Sequence, residues 1–203
     1  MMILSTARRA AMAVLGLALV PLAACAPASS AHGLKIVATT TQICDYVTQI
    51  AAASTDLSLD KTDASGKQSH VGPAPGSAAL TMSLTCLLAP NASAHEHEMT
   101  PAQTAALAEA DVMAVSGVDL EHFLDDAVVS SGFKGRMVVT SGVLTAADVD
   151  NPGAPDPEGA YTIDRGSERV DVAPWPFPPE EAGEEPEFRF DPHVWTSPKG
   201  ARV

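Results

Sequence analysis

Basic residues are scarce in this chain of 203 residues: Lys and Arg total 12 against 25 Asp and Glu, a formal charge of −13. Phosphate backbones need a basic surface, so a chain this acidic argues against nucleic acid as a partner. Most of the charge serves solubility, and an acidic surface also tolerates cations. Aromatic residues make up only 4% against a hydrophobic content of 46%, so the core must be built from Ala, Val, Leu and Ile. Nucleophile motifs are missing as well. Ser116-Gly117 lacks a G-x-S-x-G elbow, and no phosphate-cradling glycine loop is present. Gly153, Gly159 and Gly166 fall in a proline-rich stretch instead. No internal repeat is visible.

Cysteine is rare too, with three in the chain. Arg8 and Arg9 precede an apolar run from Ala10 to Leu22, too short for a comfortable membrane span. Leu22-Ala23-Ala24-Cys25 then resembles a bacterial lipoprotein cleavage box, in which the cysteine is acylated and becomes the mature N-terminus. Residues 1–24 are expected to be a signal peptide, Cys25 the lipidation site and 25–33 a tether that includes His32. The alternative is an ordinary secretory peptide with Cys25 incidental. Outside the cytoplasm the two remaining cysteines, Cys44 and Cys86, suggest a disulfide. It would close a loop of about 42 residues. Two buried free thiols, or thiolate ligands, are the other options.

The pattern along the chain is α/β. Leu34 to Thr39 is β-rich, and Ile43, Val47, Ile50 and Ala51 follow at helical spacing. Residues 54–78, rich in Ser, Gly, Asp and Pro, are expected to be a flexible insertion with His70 as a solvated loop residue. Leu80–Leu88 predicts a strand. Thr100-Pro101-Ala102-Gln103 is a capping box with proline at the first helical position. Asp111–Val115 and Gly135–Thr140 predict two more strands, separated by a helix that Asp119 can cap. Strands alternating with helices imply parallel pairing and right-handed crossovers, hence a doubly wound α/β lobe over 34–144. Eight prolines and a run of acids make 145–189 an acidic, proline-rich surface loop, pinned in part by Trp175 and Phe177. Residues 190–203 then hold Asp191-Pro192-His193 and the start of a further helix near Pro198.

Two histidines stand out chemically. In a doubly wound sheet, ligands collect outside the carboxyl ends of the strands. His95 lies in the loop after a predicted strand, and His193 precedes a predicted helix start, so both fit that rim. Neutral imidazole is a common ligand for divalent transition metals. Asp191 is placed to accept the second ring N–H of His193, an arrangement that fixes tautomer and raises basicity. Glu96 or Glu98 can do the same for His95 or bind metal directly, and His97 is a further candidate. A solvated polar loop is the alternative reading of His95-Glu96-His97. H-E-x-x-H is absent, because Met99 stands where the second histidine would be. His122 is expected on the surface, and Trp195 as a packing residue.

Val37-Ala38-Thr39-Thr40-Thr41-Gln42-Ile43, the His95 loop with Glu98 and Thr100-Pro101, Ala108-Glu109-Ala110-Asp111-Val112, and Asp191-Pro192-His193-Val194-Trp195 occur in that order. Together they resemble the zinc/manganese solute-binding lipoproteins of ABC-type metal importers, the cluster A-I metal-binding family. The likeness covers residues 34–53, 80–144 and 189–203, and Asp-Pro-His-x-Trp is its most specific element. It implies one metal held between two α/β lobes joined by a long helix, with His95 and His193 as ligands. It implies Zn2+ as cargo, with Mn2+ the alternative, and delivery to an ABC-type membrane permease without catalysis. The protein would be extracytoplasmic, monomeric and membrane-anchored by its N-terminal lipid. Three departures qualify the likeness. Ser93-Ala94 replaces the family's usual Asp-Pro, the loop before His193 is acidic where zinc-type members are often His-rich, and the chain is expected to be a fragment lacking the second lobe.

Two competing functions remain open at this stage. One is a lipid-anchored surface interaction protein without tight metal binding. The other is an exported metallohydrolase using His95, His97 and His193, which would need a general base and an open coordination position.

Overall fold

A computed structural model describes residues 33–198, apart from 154, 157, 180 and 182. The signal peptide, Cys25, most of the tether and the helix expected after Pro198 lie outside the described residues. In chain order the elements are β1 Leu34–Ala38, α1 Thr41–Ala53, β2 Leu57–Thr62, β3 Gln68–Val71, β4 Leu80–Cys86 and α2 Pro101–Ala108. They continue with β5 Val112–Val115, α3 Leu124–Ser131, β6 Arg136–Val139, α4 Ala146–Asp150, β7 Thr162–Asp164 and a 3-10 turn at Val194–Thr196.

The seven strands form one sheet in the order β3-β2-β4-β1-β5-β6-β7. Only the β2–β3 pair is antiparallel; the others run parallel. Successive side chains on a strand point to opposite faces, and the core divides accordingly. Val37, Met113, Val115, Met137 and Val139 pack with Leu107 of α2 and Ala127 of α3 on one face. Ala38, Leu59, Leu84, Cys86 and Ala114 pack with Ile43, Cys44 and Ala51 of α1 on the other. Helices therefore cover both faces, as near-continuous apolar strands require, and the fold class is the doubly wound α/β lobe expected. The link from β4 to β5 passes over β1, so the loops after β1, β4 and β5 leave the sheet together at its carboxyl edge.

Local chemistry sets the helix starts. Thr40 caps α1 by accepting from the Ile43 amide at 3.3 Å. Thr100 and Gln103 form a reciprocal capping box at α2, with Pro101 at its start. Gln103 is itself buried and donates from Nε2 to the Leu87 carbonyl at 2.7 Å, tying the helix to the end of β4.

Four expectations need correction. Residues 54–78 are not an unstructured insertion: they contain β2 and the hairpin to β3. Part of their polar composition belongs to the tight turn Asp63–Lys67, where Asp63 accepts from the Ser65 and Lys67 amides at 2.9 and 3.0 Å, and the rest flanks the two strands. The buried Leu59 anchors β2, and His70 sits on β3 with Nδ1 2.9 Å from Asp60. On α1, Ile50 does not join the buried stripe and is 61% exposed.

Asp119 does not cap α3, which begins at Leu124 without a side-chain cap. The backbone at Asp119 is left-handed (φ 56°), so the chain has not yet turned into a helix. Its carboxylate instead accepts from the Ala146 amide at 2.7 Å, at the start of α4. Finally, 145–189 carries α4 and β7, and β7 extends the sheet parallel to β6. Proline excluded neither because neither contains one: Pro152, Pro155 and Pro157 fall between them in sequence, and β7 takes the sheet edge. Arg165 pairs with Asp148 at 3.2 Å and with Asp156, and Arg189 pairs with Asp150. Further on, Pro174 bridges Phe190, and the Asp191 and Trp175 amides donate to the Ala173 and Arg189 carbonyls at 2.8 and 3.1 Å. The loop is zipped at its far end.

Cys44 of α1 and Cys86 at the end of β4 are joined by a disulfide across 42 residues. On the chain-entropy account such a closure is worth about 3–4 kcal/mol. The double variant Cys44→Ala/Cys86→Ala is therefore expected to lose about that much unfolding free energy in equilibrium urea titrations followed by circular dichroism.

Candidate metal centre

Three loops meet at the carboxyl edge of the sheet, joined by the return segment from Phe188 to Trp195. The loop after β4 carries His95. The loop after β5 carries Leu120, Glu121 and His122. The short connection after β1 carries Thr39 and Thr40. The Pro174–Phe190 clasp brings His193 back against this edge.

His95 and His193 are neighbours: their ring centroids lie 5.6 Å apart at an interplanar angle of 77°. Both line one cavity of about 220 Å³, together with Thr40, Gln42, Leu120 and Trp195. The tautomer of each ring follows from its partner. His95 Nδ1 is 3.2 Å from the Leu120 carbonyl. A carbonyl can only accept, so Nδ1 carries the proton and Nε2 keeps its lone pair. His193 Nδ1 is 2.8 Å from Asp191 Oδ1, which also accepts from the His193 backbone amide at 2.9 Å. That carboxylate places the proton on Nδ1 in the same way, leaving Nε2 available.

Aromatic rings hold these imidazoles in place. Phe188, only 5% exposed, packs against His95 at 4.7 Å and His122 at 5.3 Å. Trp175 stacks on His193 at 5.9 Å and meets Phe188 edge-on at 5.1 Å, while Trp195 meets His193 edge-on at 5.3 Å. Burial pushes the His95 imidazole below its ordinary pKa. Glu187 opposes that shift, and the neighbouring His193 and His122 add to it. A ring kept neutral is the form that binds metal.

The other candidates are placed differently. Glu96 and Glu98 are exposed; the acceptor at His95 Nδ1 is the Leu120 backbone, not either carboxylate. His97 is half-buried and packs edge-on against Phe123 at 4.9 Å, with its Nε2 buried and unpartnered. His122 is exposed, yet its ring is 5.7 Å from His95, closer to the site than an ordinary surface position. Among the described residues, no group of three or more His, Cys, Asp or Glu side chains stands at metal-holding distances. The edge supplies two well-oriented imidazoles.

Sequence reasoning missed two participants. The Leu120 carbonyl is a backbone atom and has no residue-type signal. Glu121 is buried beneath the site, but within a run resembling the start of a helix nothing marks it as different from a solvated acid.

The family described as "Zinc-uptake complex component A periplasmic" (ZnuA) has a model that matches residues 78–203. The match takes in the His95 loop, the Glu121 turn and Asp191-Pro192-His193, more than half of the chain, and the chain belongs to that family. No curated protein matches it.

Burial also holds the His97 imidazole below the ordinary value of 6.5. With His95 and His97 both depressed, the unfolded chain takes up protons before the folded one as pH falls through about 6.5. Their contribution to stability is complete above that pH and is lost below it. His97→Phe is expected to weaken this acid sensitivity, seen as a smaller drop in the urea midpoint between neutral and mildly acidic buffer.

Proposed function

We propose that this chain captures a divalent transition metal outside the cytoplasm and delivers it to an ABC-type membrane permease. Zinc is the favoured cargo and manganese the alternative, with Cys25 as the lipid anchor. The observation that carries the reading is the matched pair of imidazoles. Each has Nδ1 committed to a fixed acceptor and Nε2 left over, and both border one cavity. Membership in a periplasmic zinc-uptake family supports the same reading.

His95 and His193 are the proposed ligands, and Asp191 orients the second of them. No catalytic role is assigned to any residue. Two neutral imidazoles suit zinc better than they suit manganese, which prefers oxygen ligands and higher coordination. A closed zinc site uses four ligands, so the two histidines alone predict weak and poorly selective binding. Capture of the usual strength would draw its remaining ligands from elsewhere in the assembled protein.

Isothermal titration with zinc tests this directly. The chain is expected to bind one zinc weakly and to release it on dialysis against a weak chelator. His95→Ala and His193→Ala are each expected to abolish measurable binding. Asp191→Ala should lower the affinity by about 10–100-fold, the usual cost of removing an outer-shell partner. Unchanged zinc binding in the double histidine variant would discard this site.

A further inference from the structure

Among the described residues two acids are buried, Asp148 and Glu121. Asp148 faces the Arg165 guanidinium. Glu121 is held by neutral donors instead. Its Oε1 lies 2.6 Å from the Thr39 hydroxyl and accepts from the Ser116 amide at 2.6 Å. Its Oε2 accepts from the Gly117 amide at 3.1 Å. A buried carboxylate is costly unless hydrogen bonds compensate it, and here they join the ends of β1 and β5.

The turn that Glu121 closes is strained. Gly117, Val118 and Asp119 all have positive φ, at 88°, 57° and 56°. At Gly117 any side chain would collide with the Val143 carbonyl, 2.1 Å from where a Cβ would sit. Val118 and Asp119 have side chains and are held left-handed, a strained conformation that persists only where the surroundings over-determine the backbone. The restraints are visible. The Val118 and Asp119 amides donate to the Val143 and Leu144 carbonyls at 2.8 and 3.1 Å, and the Leu120 amide donates to Gly117 at 3.2 Å. Glu121 closes the turn from below. Its output is the Leu120 carbonyl, which meets His95 Nδ1.

We infer that Glu121 is a positioning residue of the metal site: its carboxylate fixes the 116–121 turn so that the Leu120 carbonyl holds the His95 proton on Nδ1 and leaves Nε2 open to metal. Glu121 does not touch the metal itself. The inference rests on the metal-capture reading above, and it extends that site to a residue with no ligating role.

The test is nitrogen-detected NMR of the imidazoles in the metal-free chain at mildly alkaline pH, paired with zinc titration. In the unmodified chain His95 and His193 should both be Nδ1–H tautomers. Glu121→Gln keeps the shape but turns an NH2 group towards an amide donor. His95 is then expected to become a tautomer mixture and zinc affinity to fall about tenfold. His193, oriented by Asp191, should stay Nδ1–H. A change in both rings would mean a general loss of structure and would overturn the inference, as would no change in either. If Glu121→Gln does not fold, Thr39→Val removes one donor and keeps both amide bonds. It is expected to shift His95 in the same direction by less, and an unchanged His95 there refutes the proposal. Absence of zinc binding in the unmodified chain would count against metal capture alone, because the tautomer measurement needs no metal.

Discussion

An imidazole has two nitrogens, and a metal can use one of them only if the proton is kept on the other. On the metal-capture reading, this constraint organises the whole carboxyl edge of the sheet. His193 meets it locally, with Asp191 two residues away accepting from both the ring and the backbone. His95 meets it at long range, through a carbonyl 25 residues further along the chain. The parallel sheet makes that second solution workable, because the loops after β4 and β5 leave it side by side. The rings then need walls. Phe188, Trp175 and Trp195 supply them from a segment that regular secondary structure barely touches.

The two solutions differ in what they demand of the fold. An aspartate before proline is a small, self-contained device that travels with its histidine. A backbone carbonyl has no side chain to adjust, so its direction is only as good as the turn that carries it. That turn is left-handed over three residues, and its amides are spoken for by Glu121, Val143 and Leu144. Strain and restraint are therefore found together, as is common where a site must be held in place before its ligand arrives. The disulfide at the end of β4 works to the same purpose from the other side, tying α1 to the strand that leads into the His95 loop.

Much of this was legible in the residues. The capping box at Thr100, the apolar strands and the alternation of elements follow from short-range chemistry, and they fixed the fold class. Asp191-Pro192-His193 was legible for the same reason, since its working parts are adjacent. The hairpin at 57–71 was hidden because its turn composition spread over the whole segment and its strands bury little. β7 was hidden behind proline density, which argues against a central strand but not against an edge one. Asp119 looked like a helix cap because a cap and a left-handed turn favour the same residue types. Glu121 and Leu120 could not be read at all, because their importance lies in which loops become neighbours.

The pairing of His95 with His193 also concerns folding. The two rings are nearly a hundred positions apart in sequence, and one of them is set by residues at 39, 116, 117 and 121. Contacts of such separation cost loop-closure entropy that the rest of the core must offset. A partly folded chain, or one still emerging, has loose histidines but no cavity between them. On the metal-capture reading, competence to hold an ion is therefore a property of the whole folded lobe, with both loops docked, and of neither loop by itself.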